Sequence, residues 1–264
     1  MSSDNGPTIL DTRFGDRLFA SRRGRAFMLG FMADAEDSDE RGVFDTLLAR
    51  VGDPQLHKMI KIHRDDEIRH AEMLRRCVAR VGIVPAAVPA ELRIVPYLER
   101  SLGSVAERFL DEDAGVMEAY VFLQVVEERA VLQFPRFADA LRPYDAASAA
   151  VIDEIVEDER RHVKYAKAIS KRYAPDAATL ERTLARFRAA EERATLEHGA
   201  AFLTYALDQG LLAIGRAEEL FWRAFARLAR LEIPPVLREL RARAARKSTA
   251  RRGSRRGLTR ITAS

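Results

Sequence analysis

Residues 65–72 of the chain read Asp-Asp-Glu-Ile-Arg-His-Ala-Glu. They contain the spacing Glu67-x-x-His70, which returns 92 residues later as Glu159-x-x-His162. Both copies lie in helix-forming sequence, and residues three apart share one face of an α-helix. Each copy therefore directs a carboxylate and an imidazole to the same side, and together these groups are ligands for Fe, Mn or Zn.

Both pairs interrupt the apolar face of their helix. A buried carboxylate without a partner is costly, and two at equivalent places need a common cause. A bound metal is the simplest cause, whereas one isolated pair would indicate ordinary helix surface. The apolar positions on these faces are Leu56, Ile60, Leu74, Cys77 and Val81 in the first helix and Ile152, Ile155, Ala166 and Ile169 in the second.

A metal site between helices also needs ligands from the facing helices. One lone carboxylate lies on the apolar face of the helix before each copy, Glu36 before the first and Glu127 before the second. Glu40 lies one turn beyond Glu36, but Gly52, in the turn, lies 16 residues after Glu36 and 15 before Glu67. Antiparallel helices therefore bring Glu36 and Glu67 level. The predicted metal ligands are Glu36, Glu67, His70, Glu127, Glu159 and His162, with Glu40 and Glu128 as replacements if Glu36 or Glu127 faces solvent.

These residues resemble the ferritin-like di-iron carboxylate proteins, in which two helices each supply a Glu and two others each supply Glu-x-x-His. The run from Gly52-Asp-Pro-Gln-Leu to Asp66-Glu67-Ile-Arg-His70 is most similar to the rubrerythrin branch. The resemblance covers about residues 25–172. It implies two iron ions, or manganese in their place, held by the six residues above, with Glu67 and Glu159 as bridging ligands.

The chain departs from rubrerythrins at two places. Rubrerythrins carry an extra carboxylate one turn from the third-helix Glu, where this chain has Gln124 and Ala130. The single cysteine, Cys77, excludes a Cys-rich iron domain and an internal disulfide within this sequence. One cysteine also fits a reducing compartment, so we expect a cytoplasmic protein.

The sequence predicts an all-α fold, since Ala, Leu, Arg and Glu dominate, Gly is sparse and strand-type alternation is absent. The resemblance makes this a ferritin-like four-helix bundle with a long crossover between its second and third helices and additional C-terminal helices. We expect a loose arm at residues 1–14, the bundle at 15–174, C-terminal helices that pack on the bundle or form a dimer interface at 175–240, and a basic, disordered tail at 241–264.

The bundle helices are predicted with few breaks. The first is expected to run continuously over residues 17–51, and the connection at 82–115 holds three prolines and a short helical patch. Such a long connection is typical of the crossover that lets two bundle helices lie parallel. The other predicted helices span 54–81, 115–141 with a kink at Pro135, about 145–173, 177–209 and 214–231.

The charge and hydropathy of the sequence bear on whether the protein binds nucleic acid or a membrane. The formal charge is +4, and residues 241–264 hold nine Lys/Arg and no acid. Charge alone gives only salt-sensitive attraction to phosphate, so nucleic-acid binding through this tail is an alternative that we do not favour. No apolar run approaches the ~20 residues that span a bilayer, so no membrane partner is expected.

The resemblance implies an oxidoreductase that activates O₂ or H₂O₂, by peroxide reduction or ferroxidase chemistry, and that receives electrons from a donor the sequence does not identify. We expect a homodimer. Two alternatives stay open: a di-iron oxygenase acting on an organic substrate, and non-enzymatic iron storage or sequestration. His63, one turn before Glu67, is predicted to support the ligands by a hydrogen bond or else to fill the core.

Overall fold

The regular elements are all helices in the computed structural model, which describes residues 9–39, 41–104 and 112–230. The all-helical prediction is therefore confirmed for these residues. The elements are α1 (Ile9–Ala20), α2 (Arg22–Asp34), a π-helical turn (Ala35–Asp39), α3 (Arg41–Arg50), α4 (Pro54–Val81), a 3₁₀ turn (Ala90–Leu92), α5 (Val95–Leu102), α6 (Glu112–Leu141), α7 (Ala146–Tyr173), α8 (Ala177–Asp208) and α9 (Arg216–Arg230).

Four helical segments surround the two Glu-x-x-His motifs. Helix α4 packs on α2 and on the π-helical turn, helix α6 packs on α7, and α4 packs on α7. The motifs lie near the middle of α4 and α7, so the packing of these two helices brings the motifs together. The apolar residues around them are buried, for example Ile60, Leu74 and Ile152, each 0% exposed.

The two motif helices begin in the same way. Asp53 caps α4 by accepting a hydrogen bond from the Gln55 N–H at 2.9 Å, and Asp145 caps α7 by accepting one from the Ser148 N–H at 2.9 Å. Glu67 and Glu159 each lie 14 residues beyond their cap. Both motifs therefore lie at the same depth along their helices.

The unbroken first helix predicted over residues 17–51 is wrong, because the chain is interrupted at Ser21 and again at the π-helical turn. Ser21 caps α2 by accepting a hydrogen bond from the Gly24 N–H at 3.2 Å. Gly24 is required there, since a Cβ would collide with the carbonyl oxygens of Leu18 and Leu211.

Helix α1 begins at Ile9, within the range 1–14 that was predicted as a loose arm. Residues 1–8 lie outside the described part of the chain. The Phe14 ring packs edge-on against Phe202 at 6.1 Å and Trp222 at 6.0 Å between ring centroids. Helix α1 is therefore held in place by aromatic residues of the two last helices.

The C-terminal helices pack on the rest of the chain, α8 against α5 and α6, and α9 against α8. Trp222 of α9 is 2% exposed and belongs to the core that contains α1 and α2. Within the described ranges, no helix combines the length and the apolar character needed to cross a membrane. The predicted basic tail, 241–264, lies outside the described residues.

Candidate metal centre

The six predicted ligands lie together between α4, α6, α7 and the π-helical turn. Together with His63 they form two adjoining clusters, and Glu67 belongs to both. In each cluster every residue offers one ligand atom, and these atoms lie within 4.8 Å of one another. Cluster 1 consists of Glu36, Glu67, His70 and Glu159, and cluster 2 consists of His63, Glu67, Glu127 and His162.

The clusters are enclosed by protein. Glu67 and Glu127 are 3% exposed, Glu159 is 1% exposed and His70 is fully buried. The Glu36 side chain, at 9%, is the most accessible of the predicted ligands. Several carboxylates in such a site are costly unless cations neutralise them, which is what bound metal ions would do.

Glu36 reaches the centre from the π-helical turn Ala35–Asp39, a type of distortion that often accompanies functional sites. Its acidic neighbours face outwards, since Asp37 pairs with Arg75 and Asp34 with Arg93. Glu36 thus differs from Asp34 and Asp37, whose side chains pair with arginines. The alternative ligand Glu40 lies outside the described residues.

Glu127 is likewise distinguished from the residue beside it. Its Oε1 lies 3.0 Å from the Nε2 of His63, inside cluster 2. Glu128 instead pairs with Lys167 and Arg188, both at 2.9 Å, at a partly exposed position. Glu127, and not the alternative Glu128, is therefore the candidate ligand on α6.

His70 directs one ring nitrogen at three carboxylates. Its Nδ1 lies 3.1 Å from Glu159 Oε1, 3.4 Å from Glu67 Oε2 and 3.6 Å from Glu36 Oε2. One ring N–H cannot satisfy three acceptors. Two ligand atoms ~2.1 Å from a metal ion and about 90° apart are separated by about 3 Å, so these spacings fit a coordination sphere.

Unpartnered polar atoms point to the same conclusion. The Nδ1 of His70, the Oε1 of Glu67 and the Oε1 of Glu159 are buried, and among the described residues they have no partner in hydrogen-bonding geometry. Buried polar atoms normally have such partners. The donor set, imidazole nitrogen with carboxylate oxygen, suits Fe, Mn or Zn, so the residues fit a metal-binding role.

Glu67 and Glu159 each face both motif histidines. Glu159 places Oε1 3.1 Å from the Nδ1 of His70 and Oε2 3.0 Å from the Nδ1 of His162. Glu67 places Oε2 3.4 Å from the Nδ1 of His70 and Oε1 3.1 Å from the Nδ1 of His162. Each carboxylate thus presents one oxygen to each cluster, which is the geometry that a bridging ligand requires.

The outer nitrogens of the two histidines contact aspartates that sequence reasoning missed. His70 Nε2 lies 3.2 Å from Asp158, and His162 Nε2 lies 3.3 Å from Asp66. An imidazole that donates its outer N–H to a carboxylate presents the lone pair of its other nitrogen to a metal. The missed signal is a five-residue pattern, Asp-Glu-x-Arg-His, present at 66–70 and again at 158–162.

The arginines of this pattern tie the aspartates together. Arg69 pairs with Asp66 at 2.8 Å and with Asp158, while Arg161 pairs with Asp158 and with Asp66 at 3.6 Å. Burial alone would raise the pKa of Asp158, but hydrogen bonds from Arg69, His70 and Arg161 lower it to about 2. Asp158 therefore stays an anion that can accept a hydrogen bond from His70 Nε2.

His63 makes the predicted hydrogen bond to a ligand, with Glu127 as its partner, and its contacts go further than the prediction. It is fully buried, and its Nε2 lies 3.0 Å from Glu67 Oε1 and 3.0 Å from Glu127 Oε1. Its ring centroid is 3.9 Å from that of His162. His63 is therefore in direct contact with two predicted ligands and is itself one of the four residues of cluster 2.

The chain was compared with protein-family models, curated proteins and solved structures. None of the three comparisons gave a match. The metal-binding capacity of the chain therefore rests on the geometry of its buried Glu/His clusters.

The buried charged groups of the centre shift one another's pKa values. Burial, followed by repulsion from Glu67, raises the pKa of Glu36 well above its ordinary value. Burial also opposes the charge on Glu67 and Glu159, but side-chain contacts outweigh it and lower both pKa values. The contacts are with Glu36 and then the histidines for Glu67, and with Glu127 and then the histidines for Glu159. The metal-free centre therefore holds Glu67 and Glu159 as anions.

The histidines carry the compensating charge. Burial lowers the pKa of His162, but hydrogen bonds to Glu159 and Glu67 outweigh it and raise the pKa to about 10. The pKa of His70 is raised for the same reasons, whereas burial lowers that of His63. A protonated His70 or His162 would have to lose the proton on its metal-facing nitrogen before it could bind a metal ion.

Proposed function

We propose that the protein is a di-metal oxidoreductase of the ferritin-like, rubrerythrin-like type that activates O₂ or H₂O₂ in a ferroxidase or peroxide-reducing reaction. The segment α2 to α3, with helices α4, α6 and α7, would form the four-helix bundle. The observation that carries this proposal is the arrangement of Glu67 and Glu159, each with one oxygen directed at each histidine.

Two ions, iron or alternatively manganese, would be held by the six predicted residues. Glu36 and His70 would belong to one ion, Glu127 and His162 to the other, and Glu67 and Glu159 to both. When bound, the pair of ions would supply two-electron redox chemistry toward O₂ or H₂O₂.

The chain's own residues would prepare the site for this chemistry. Asp66 and Asp158 would fix the ring orientation of His162 and His70 by accepting hydrogen bonds from their outer N–H groups. The side chains of Arg69 and Arg161, 40% and 59% exposed, continue this network to the surface.

The enclosure of the ligands favours small reactants. Five of the six predicted ligands are at most 3% exposed, and Tyr120, two turns before Glu127 on α6, is fully buried. O₂, H₂O₂ and single metal ions need little space, whereas an organic substrate needs a pocket that reaches the ions. We therefore place oxygenation of an organic substrate second and storage third; the homodimer and the cytoplasmic location stay predictions.

Metal loading tests the proposal. We expect about two Fe(II) per chain after anaerobic loading, followed by rapid oxidation when O₂ or H₂O₂ is added. The double variant Glu67→Gln/Glu159→Gln should lose bound iron and reactivity, because a glutamine has one oxygen and no charge and so cannot supply an anionic oxygen to each of the two ions. Glu72→Gln, at an exposed position on the same helix, is the matched control and should behave like the wild type.

The measurements are metal analysis after gel filtration and stopped-flow absorbance, with helix content as a folding check. A double variant that folds, keeps two irons and reacts at the wild-type rate would refute the proposal.

A further inference from the structure

Cluster 2 contains a histidine with no counterpart in cluster 1. His63 lies four residues before Glu67 in α4, and the equivalent position in α7, four residues before Glu159, is Ile155. Both side chains are fully buried. The two halves of the centre therefore differ at one matched position, where one has an imidazole and the other an alkyl group.

The ring of His63 is held in a fixed orientation. Phe44 packs edge-on against it with ring centroids 4.6 Å apart, and Tyr165 packs at 89° with centroids 5.1 Å apart. These contacts keep Nε2 directed at Glu67 Oε1 and Glu127 Oε1, each 3.0 Å away. Such separations are those expected between ligand atoms of one ion, ~2.1 Å from it and about 90° apart.

We propose that His63 is a seventh metal ligand, which binds the ion of cluster 2 through Nε2 together with His162, Glu127 and Glu67. The inference rests on the proposed di-metal centre and specifies its composition. A supporting hydrogen bond alone would leave one N–H between two carboxylate oxygens at equal distance, whereas a shared cation satisfies both oxygens and the ring nitrogen.

The seventh ligand makes the two metal positions chemically different. The position in cluster 1 has one imidazole among carboxylates, and the position in cluster 2 has two imidazoles, from His63 and His162. Imidazole-rich sites favour the later divalent metals, while carboxylate-rich sites suit Mn²⁺. A metal such as Co²⁺ should therefore fill cluster 2 first.

Titration with Co(II), followed by proton NMR, tests this assignment. A histidine bound to high-spin Co(II) keeps one N–H, which gives a strongly shifted resonance that exchanges with water. We expect two such signals after one equivalent, from His63 and His162, and a third after the second equivalent, from His70.

The variant His63→Ile copies the residue found at the equivalent position of α7. It should show two shifted signals instead of three at full loading, and its second ion should bind at least about tenfold more weakly, as measured by competition with a chelator. His57→Gln, exposed on the same helix, is the control and should keep three signals. His63→Gln provides a second variant if the isoleucine impairs folding.

Three signals that fall to two in His63→Ile support the inference. Two bound Co(II) ions with only two shifted signals in the wild type, unchanged in His63→Ile, overturn it and leave the di-metal centre intact. No bound Co(II) and no bound Fe(II) in the wild type would overturn the proposed function as well.

Discussion

Each motif histidine of the centre depends on an aspartate from the other copy of the motif. Asp66 precedes Glu67 in α4 but contacts His162 of α7, and Asp158 of α7 contacts His70 of α4. The exchange means that a change in one motif disturbs the histidine of the other. The two copies of the motif are thus joined by reciprocal contacts between an aspartate of one and the histidine of the other.

The variants Asp66→Asn and Asp158→Asn test this dependence. We expect each to weaken metal binding about 10- to 100-fold, because an asparagine cannot accept the histidine proton as strongly as a carboxylate and leaves the ring less well oriented. Competition with a chelator measures the loss. Asp65→Asn, half-exposed beside Arg64, is the control and should bind metal normally; equal affinity in all three variants would contradict this role of the aspartates.

The sequence predicted the residues that interrupt the apolar face of their own helix, and it missed the polar contacts that join one motif helix to the other. Glu67, His70, Glu159 and His162 follow from a spacing of three within one helix. The contact between Asp66 and His162 requires knowledge of which helices face each other and in what register. For the same reason, the sequence could place His63 on the apolar face but could not show where its Nε2 points.

At the scale of the helix, some helix ends follow from local sequence signals, and others depend on contacts with distant parts of the chain. The starts of α4 and α7 follow from Asp53 and Asp145, whose capping signals are visible in the sequence. The interruption at Ser21 depends on the close approach of Leu211 to Gly24, some 190 residues away in the chain. The π-helical turn at Glu36 likewise has no local signal, since the acidic run around it favours a regular helix equally well.

The cap of α7 gives a prediction about stability. Asp145→Ala removes the acceptor for the Ser148 N–H and for its hydroxyl, so unfolding free energy should fall by about 1 kcal/mol. Urea denaturation of the metal-free protein measures the change. Glu157→Ala, exposed in the same helix, should cost much less, because an exposed ion pair such as Glu157–Arg160 contributes little. Equal losses in the two variants would contradict a specific role for the cap.

At the scale of the whole molecule, stability is coupled to the occupancy of the buried centre. Ions that bind only the folded chain stabilise it by RT ln(1 + [L]/Kd), which is about 2.7 kcal/mol at a hundredfold excess over Kd. Without metal, the protons on His70 and His162 take over part of the neutralisation of the carboxylates. Protons and metal ions therefore compete for the same folded structure.

This competition determines whether the stability of the metal-free protein, and the stabilisation added by metal, rise or fall with pH. The pKa of His162 is raised to about 10 from an ordinary 6.5, so its contribution to the metal-free protein is fully present below pH 6.5 and is lost as the pH rises toward 10. Metal binding needs the deprotonated nitrogen and so strengthens over the same interval. The metal-free protein should lose stability between pH 7 and pH 9, while the stabilisation added by metal should grow.

Thermal denaturation at pH 6, 7, 8 and 9, with chelator or with excess Mn(II), measures the two curves. We expect the difference between the melting temperatures of the loaded and metal-free protein to widen as the pH rises, because each ion then displaces fewer protons. The variant Glu67→Gln/Glu159→Gln should show no metal-dependent shift at any of these pH values, since both bridging carboxylates are gone. A difference that narrows with rising pH, or that persists in this variant, would show that the stabilising metal binds outside the buried Glu/His clusters.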